Sequence, residues 1–169
     1  SEKPLWATPG TNDQCDCIFV AGMDHKVYAL DAGTGQAKWE SDDLGGAIVA
    51  TPVFSSDGTI YVGTFANELV ALDAATGRAK WRFTADNWVW SPVSLVEETL
   101  YFGDSSGNLY AVEAASGKVV WKVPVGGSIV TQPLVAKDLI VVTTGVEEVY
   151  AYNMEGVRQW QTTLAGRLH

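Results

Sequence analysis

Cysteine, histidine and proline are all scarce: two Cys, two His and six Pro among 169 residues. Two cysteines, Cys15 and Cys17, are too few for the disulfide framework that holds small secreted folds together. Basic residues are also in short supply, with 11 Lys and Arg against 20 Asp and Glu, a formal net charge of −9. This excludes the basic face that nucleic acid or an anionic membrane surface requires. No apolar run reaches the roughly 18 residues of a membrane-spanning helix. A chain that starts at Ser is compatible with trimming, so the compartment stays open on the residues alone. His-Glu-x-x-His, Gly-Lys-Ser/Thr and Gly-x-Gly-x-x-Gly do not occur, and no strand-turn-helix nucleophile elbow is expected.

Aromatic residues and glycine are plentiful, with seven Trp and 17 Gly. Four of the tryptophans, Trp39, Trp81, Trp121 and Trp160, are spaced by 42, 40 and 39 residues. They close the related segments 27–39, 69–81, 109–121 and 149–160 (VYALDAGTGQAKW, LVALDAATGRAKW, LYAVEAASGKVVW and VYAYNMEGVRQW). Upstream stand Pro-containing segments at Thr8-Pro9, Thr51-Pro52, Ser91-Pro92 and Gln132-Pro133, followed by short apolar runs at 19–22, 60–63, 100–103 and 139–142. A period near 40 holding four strand-like runs is the signature of a propeller blade, and no sustained 3.6-residue pattern supports a helical solenoid. The expected fold is all-β: a β-propeller arc of four-stranded antiparallel blades at about 4–42, 46–84, 87–124 and 127–164, together one domain over 1–169. In the second blade the strands are expected near 47–54, 59–64, 67–73 and 78–83.

The turn before each tryptophan explains part of the repeat. Asp31 with Gly35, Asp73 with Gly77 and Glu113 with Gly117 bracket it: an acidic side chain accepts from amides ahead of it, and Gly takes the positive φ that closes a bulged hairpin. Asn153 and Gly156 bracket a turn one residue shorter. Ala29, Ala71, Ala111 and Ala151 recur in the third strand, where a small side chain lets a ring approach. The four tryptophans are therefore expected in the packing between blades.

These segments, from Ala29-Leu30-Asp31 to Trp39, Ala71-Leu72-Asp73 to Trp81 and Ala111-Val112-Glu113 to Trp121, resemble the tryptophan-docking motif of pyrroloquinoline-quinone-type propellers. The resemblance covers essentially the whole chain. It implies seven or eight blades where this sequence supplies four, with boundaries expected near Pro4 and Leu164. Half of an eight-bladed ring is the expected geometry, completed by further blades or by a second copy, with a closed four-bladed ring ranked last. The resemblance implies a periplasmic or extracellular setting. It also implies, in the dehydrogenases of the group, a quinone cofactor under a disulfide of adjacent cysteines, a calcium ion held by Glu and Asn, and an Asp base. Here Asp16 separates Cys15 from Cys17 and no residues match the calcium ligands or the base, so no cofactor is expected.

Function is sought where the repeat is broken. Asn87, Trp88 and Trp90 stand where other copies are expected to hold Ile48 and Ala50, or Ile129 and Thr131. On an inner strand Trp88 and Trp90 would share one side and form a stacking platform at the channel mouth. Asp24 and His25, in the turn 23–26, are expected on the same face, without a role in proton transfer. Cys15 and Cys17, with only Asp13 and Asp16 beside them, lack the ligands of a structural zinc site and are expected to be free thiols or an intermolecular contact. No catalytic residue is expected. The reading is a non-catalytic binding or scaffold module with a protein partner and self-association; a degenerate quinoprotein dehydrogenase or a small-ligand sensor is the alternative.

Overall fold

The computed structural model describes residues 7–11 and 15–164, which form sixteen strands and no helix. They build four separate four-stranded antiparallel sheets, each made of strands consecutive in sequence. The first holds β1 (Gly10–Thr11), β2 (Cys17–Ala21), β3 (Val27–Asp31) and β4 (Ala37–Glu40), and the second β5 (Val53–Phe54), β6 (Thr59–Gly63), β7 (Glu68–Asp73) and β8 (Ala79–Thr84). The third holds β9 (Ser94–Val96), β10 (Thr99–Gly103), β11 (Asn108–Glu113) and β12 (Val119–Pro124), and the fourth β13 (Leu134–Ala136), β14 (Leu139–Thr143), β15 (Glu148–Asn153) and β16 (Arg158–Thr163). Pro4 and Asp13, used in the sequence reading, lie outside the described residues.

Register explains the repeat. In the first three sheets, cross-strand partners line up as Gly10–Phe19–Ala29–Trp39, Val53–Tyr61–Ala71–Trp81 and Ser94–Tyr101–Ala111–Trp121. Each row faces the following blade. Trp39, Trp81 and Trp121 lie 5.8, 5.8 and 5.9 Å from the rings of Phe19, Tyr61 and Tyr101 in their own sheets. Their Nε1 atoms donate to Ala74, Ala114 and Met154 carbonyls, in the turn of the next blade, at 3.0, 3.0 and 2.8 Å. A β-carbon on Gly77, Gly117 or Gly156 would stand 2.5–2.8 Å from the arriving indole, so glycine there meets both a positive φ of 72–78° and a close approach. Asp73 Oδ1 accepts from Thr76 N and Oγ1 at 2.9 and 2.7 Å, which holds its carboxyl below the usual range. Asp31 does the same with Thr34.

Four expectations need correction. Trp160 is not packed between blades; it is 44 % exposed, because no described blade follows β16 to receive it. The expected inner strand at 47–54 shrinks to Val53–Phe54, since the residues before it bond to turns on either side instead of to a sheet neighbour: Ile48 N to Gly22 O in blade one, and Phe65 N of blade two to Ala47 O. The repeat is shifted by one in this connection. Ile48, Val89 and Ile129 are fully buried and donate to Gly22, Thr64 and Asp104 carbonyls, so Trp88 aligns with Ala47 and Ser128, and Trp90 with Val49 and Val130. Pro92, one place earlier than Pro52 and Pro133, misleads an alignment on proline. Finally, Cys15 and Cys17 are bonded to each other, with Cα atoms 5.2 Å apart, inside the span a disulfide bridges.

Candidate binding surface

Each blade has two ends. One carries the β2–β3, β6–β7, β10–β11 and β14–β15 turns together with the connections between blades; the other carries the tryptophan-receiving turns. At the first end, between blades two and three, three aromatic rings meet. Phe65, in the β6–β7 turn, stacks on Trp88 with centroids 4.9 Å apart and planes 12° from parallel, and touches Trp90 at 5.2 Å. Trp88 and Trp90 stay 45 % and 40 % exposed, although apolar surface of that size is ordinarily buried. They are on a connection, not an inner strand, yet the expected alternation holds: Val89 between them is fully buried. The backbone holds the connection: Val89 N donates to Thr64 O (3.2 Å), Ser105 N to Trp88 O (3.0 Å), and Asn87 Oδ1 accepts from Trp88 N (2.8 Å). Asn87 thus serves the loop. Phe65 was not legible beforehand, because its partners lie some 23 residues away in sequence and its repeat equivalents, Met23, Ser105 and Gly145, are unlike it.

Asp24 and His25 lie at the same end of blade one. His25 has φ 71°, at the place where the other turns hold Asn67, Gly107 and Glu147, also left-handed. Its Nδ1 is 3.2 Å from Asp43 Oδ1, which also accepts from Gly45 N at 2.7 Å; that amide, and then His25, hold the Asp43 carboxyl low. Asp24 Oδ2 accepts from Tyr28 O–H at 2.6 Å, which raises that phenol to about 12. The Asp24 Oδ1 atom is buried without a hydrogen-bond partner. Leu44 N donates to His25 O, and Gly45 stands beside Ala66, so the 42–47 connection joins this turn to the one bearing Phe65.

Gly103-Asp104-Ser105-Ser106-Gly107 has the spacing of a nucleophile elbow, but it is a strand-to-strand turn. Ser105 Oγ donates to Trp88 O at 3.3 Å, and Asp104, fully buried, accepts from Tyr110 O–H at 2.8 Å and from Asn108 N at 2.9 Å. Among the described residues no three His, Cys, Asp or Glu side chains converge as metal ligands would. The Cys15–Cys17 disulfide sits at the end of its blade opposite the aromatic rings, beside the Ala32 turn (Ala32 N to Asp16 O, 3.1 Å). Among the described residues, the donors that pyrroloquinoline quinone with calcium would need are not brought together.

Four antiparallel four-stranded sheets, each keyed to the next by a tryptophan, define a β-propeller repeat protein. A family model described as outer membrane protein assembly factor BamB matches twice, over residues 23–102 and 88–167. The chain belongs to this family of pyrroloquinoline-quinone-type repeat propellers. Among solved structures it is similar to BamB from Moraxella catarrhalis, at 19% identity and TM-score 0.67, over 96% of this chain and 62% of that one. The computationally designed Ika8 protein is 16% identical with TM-score 0.79, over 91% and 48%. The quinohemoprotein alcohol dehydrogenase of Comamonas testosteroni is likewise 16% identical with TM-score 0.79, over 95% and 35%. The chain therefore spans less than two thirds of each. No curated protein matches by sequence. Among the described residues no helix is long and apolar enough to cross a membrane.

Proposed function

We propose that the chain is a non-catalytic propeller module, set in the periplasm, that holds a protein partner on the blade end bearing Phe65, Trp88 and Trp90. The exposed ring cluster carries this reading. Large aromatic side chains held rigid on the surface are the typical anchors of protein interfaces. The similarity to an assembly factor supports the same reading. Among the described residues no cluster of metal ligands competes with it. The test is panning of a displayed peptide library against the full chain, followed by titration of the enriched peptides. Trp88→Ala and Trp90→Ala are expected to weaken binding at least tenfold while moving the unfolding free energy by no more than about 1 kcal/mol, as for half-exposed positions. Binding unaffected by both changes sinks the platform. Dye-linked alcohol oxidation after addition of pyrroloquinoline quinone and calcium is expected to be absent, and robust turnover overturns the non-catalytic assignment.

The same module completes its ring with a second copy. In blade four the row that faces forward is Leu134–Val141–Ala151–Trp160, with Leu134 62 % and Trp160 44 % exposed. On blade one, Ile18 and Leu30 are half-buried, whereas Ile60, Leu72, Leu100 and Val112 at the same places are fully buried. A β-carbon on Gly35, the glycine that would receive an indole, has nothing within 4 Å. One edge thus offers the tryptophan and the other its receiving turn. Four blades at about 45° leave room for four more, as in an eight-bladed ring. Light scattering is expected to give twice the 18.1 kDa chain mass. A well-behaved monomer, stable at high concentration, excludes the two-copy ring.

A further inference from the structure

We propose that Cys15–Cys17 is a thiol–disulfide exchange site for low-molecular-weight thiols. The two cysteines are two residues apart, and the bond joins Cys15, just before β2, to the first residue of that strand. Blade two closes the equivalent turn without sulfur. There Asp57 Oδ1 accepts from Thr59 N at 3.0 Å across the same two-residue span, and Lys80 Nζ donates to Thr59 Oγ1 at 2.7 Å. Strand register puts Cys17 (opposite Asp31) where Thr59 stands (opposite Asp73). A weak polar clasp therefore suffices for the fold, and a bond closing so short a loop restricts the unfolded chain least of all. Chemistry is left as its distinguishing property.

The surroundings favour one direction of attack. Cys17 is 5 % exposed at the start of β2, whereas Cys15 is only partly buried where it packs on the blade core, so it is the more accessible residue of the two. Lys38 Nζ, on β4, lies 3.6 Å from Cys17 Sγ, held there by Asp31 Oδ2 at 3.4 Å and Asp16 O at 3.3 Å. An ammonium beside a sulfur stabilises its thiolate and so improves it as a leaving group. A thiolate RS⁻ attacks Cys15 Sγ; the new S–S bond forms as the Cys15–Cys17 bond breaks, and the electron pair departs on Cys17 beside Lys38. A second RS⁻ attacks the outer sulfur of the mixed disulfide, releasing RSSR and the Cys15 thiolate. Two external thiols are oxidised to one disulfide, and their two protons pass to Cys15 and Cys17.

The test incubates the native full chain with reduced glutathione, quenches with iodoacetamide and reads the cysteines by mass spectrometry. A transient single glutathione on Cys15 is expected, followed by two alkylated cysteines. Lys38→Met is expected to slow reduction at least tenfold, with Lys38→Arg close to wild type. A disulfide that resists glutathione until denaturant is added overturns the proposal, as do an adduct on Cys17 or equal rates in all three chains. Should Lys38→Met melt early, Cys15→Ser with and without Lys38→Gln decides: the Cys17 thiol is expected to alkylate more slowly when Lys38 is replaced, and an unchanged rate overturns the role of Lys38.

Discussion

Trp81→Ala is expected to cost about 3–5 kcal/mol of unfolding free energy, the usual result of truncating a packed aromatic side chain. Trp160→Ala, at the same place in the repeat, is expected to change the monomeric chain by less than about 1 kcal/mol. Trp81 touches Tyr61, covers Gly117 and donates to the Ala114 carbonyl. That carbonyl also accepts from Tyr61 O–H at 3.2 Å, so truncation leaves it bonded, and the loss is chiefly one of packing. Trp160 keeps its place opposite Ala151, but among the described residues no turn follows for it to cover. Urea titration below the concentration at which chains associate separates the two. Equal losses would mean that stability comes from within each sheet, not from the contact between blades.

Gly63→Ala is the second change expected to be severe, at about 3 kcal/mol, the upper part of the range for overpacking. A β-carbon there would overlap the Val89 carbonyl oxygen and stand 2.7 Å from Val89 Cγ1. Val89 cannot retreat, being fully buried and anchored by its N–H to Thr64 O. Gly145→Ala, whose nearest neighbour is Ser128 O at 4.0 Å, is the control and is expected to be neutral within about 0.5 kcal/mol. Thermal melting of the two variants checks the pair, and similar midpoints would contradict the close approach. The equivalents of Gly63 follow the same logic. Gly103 faces Ile129. Thr143 has no described blade after it, and Ala21 is followed by a connection one residue longer, nine from Trp39 to Ile48 against eight from Trp81 to Val89.

The blades were legible because each is a local meander whose key residues recur at fixed offsets: Asp73, Gly77 and Trp81 can be matched to Asp31, Gly35 and Trp39 by eye. The connections were not. They pair with turns of the blades on either side, where no periodic pattern marks the partner, so an alignment on proline slips by one and the inner strand reads as too long. The candidate surface was half legible. Trp88 and Trp90 stand out as breaks in the repeat, but Phe65, which stacks on them, reads as an ordinary turn residue until the fold brings it there. The disulfide was misread because two cysteines with one residue between them give no sign in sequence of whether their side chains converge.

The tryptophan contacts run between consecutive blades, which gives the arc the character of a one-dimensional stack. Blades two and three are clamped on both sides, through Trp39 and Trp81 in one case and Trp81 and Trp121 in the other. Blades one and four are each held by a single indole. In the monomeric chain, backbone amides should therefore exchange with solvent in a graded order, fastest at the two ends and slowest around Tyr61, Leu69, Phe102 and Leu109, all of which are buried. Chain-end opening of this kind would let the outer blades loosen while the central pair stays folded, so the ring cluster of Phe65, Trp88 and Trp90 lies over the part of the molecule that is last to give way.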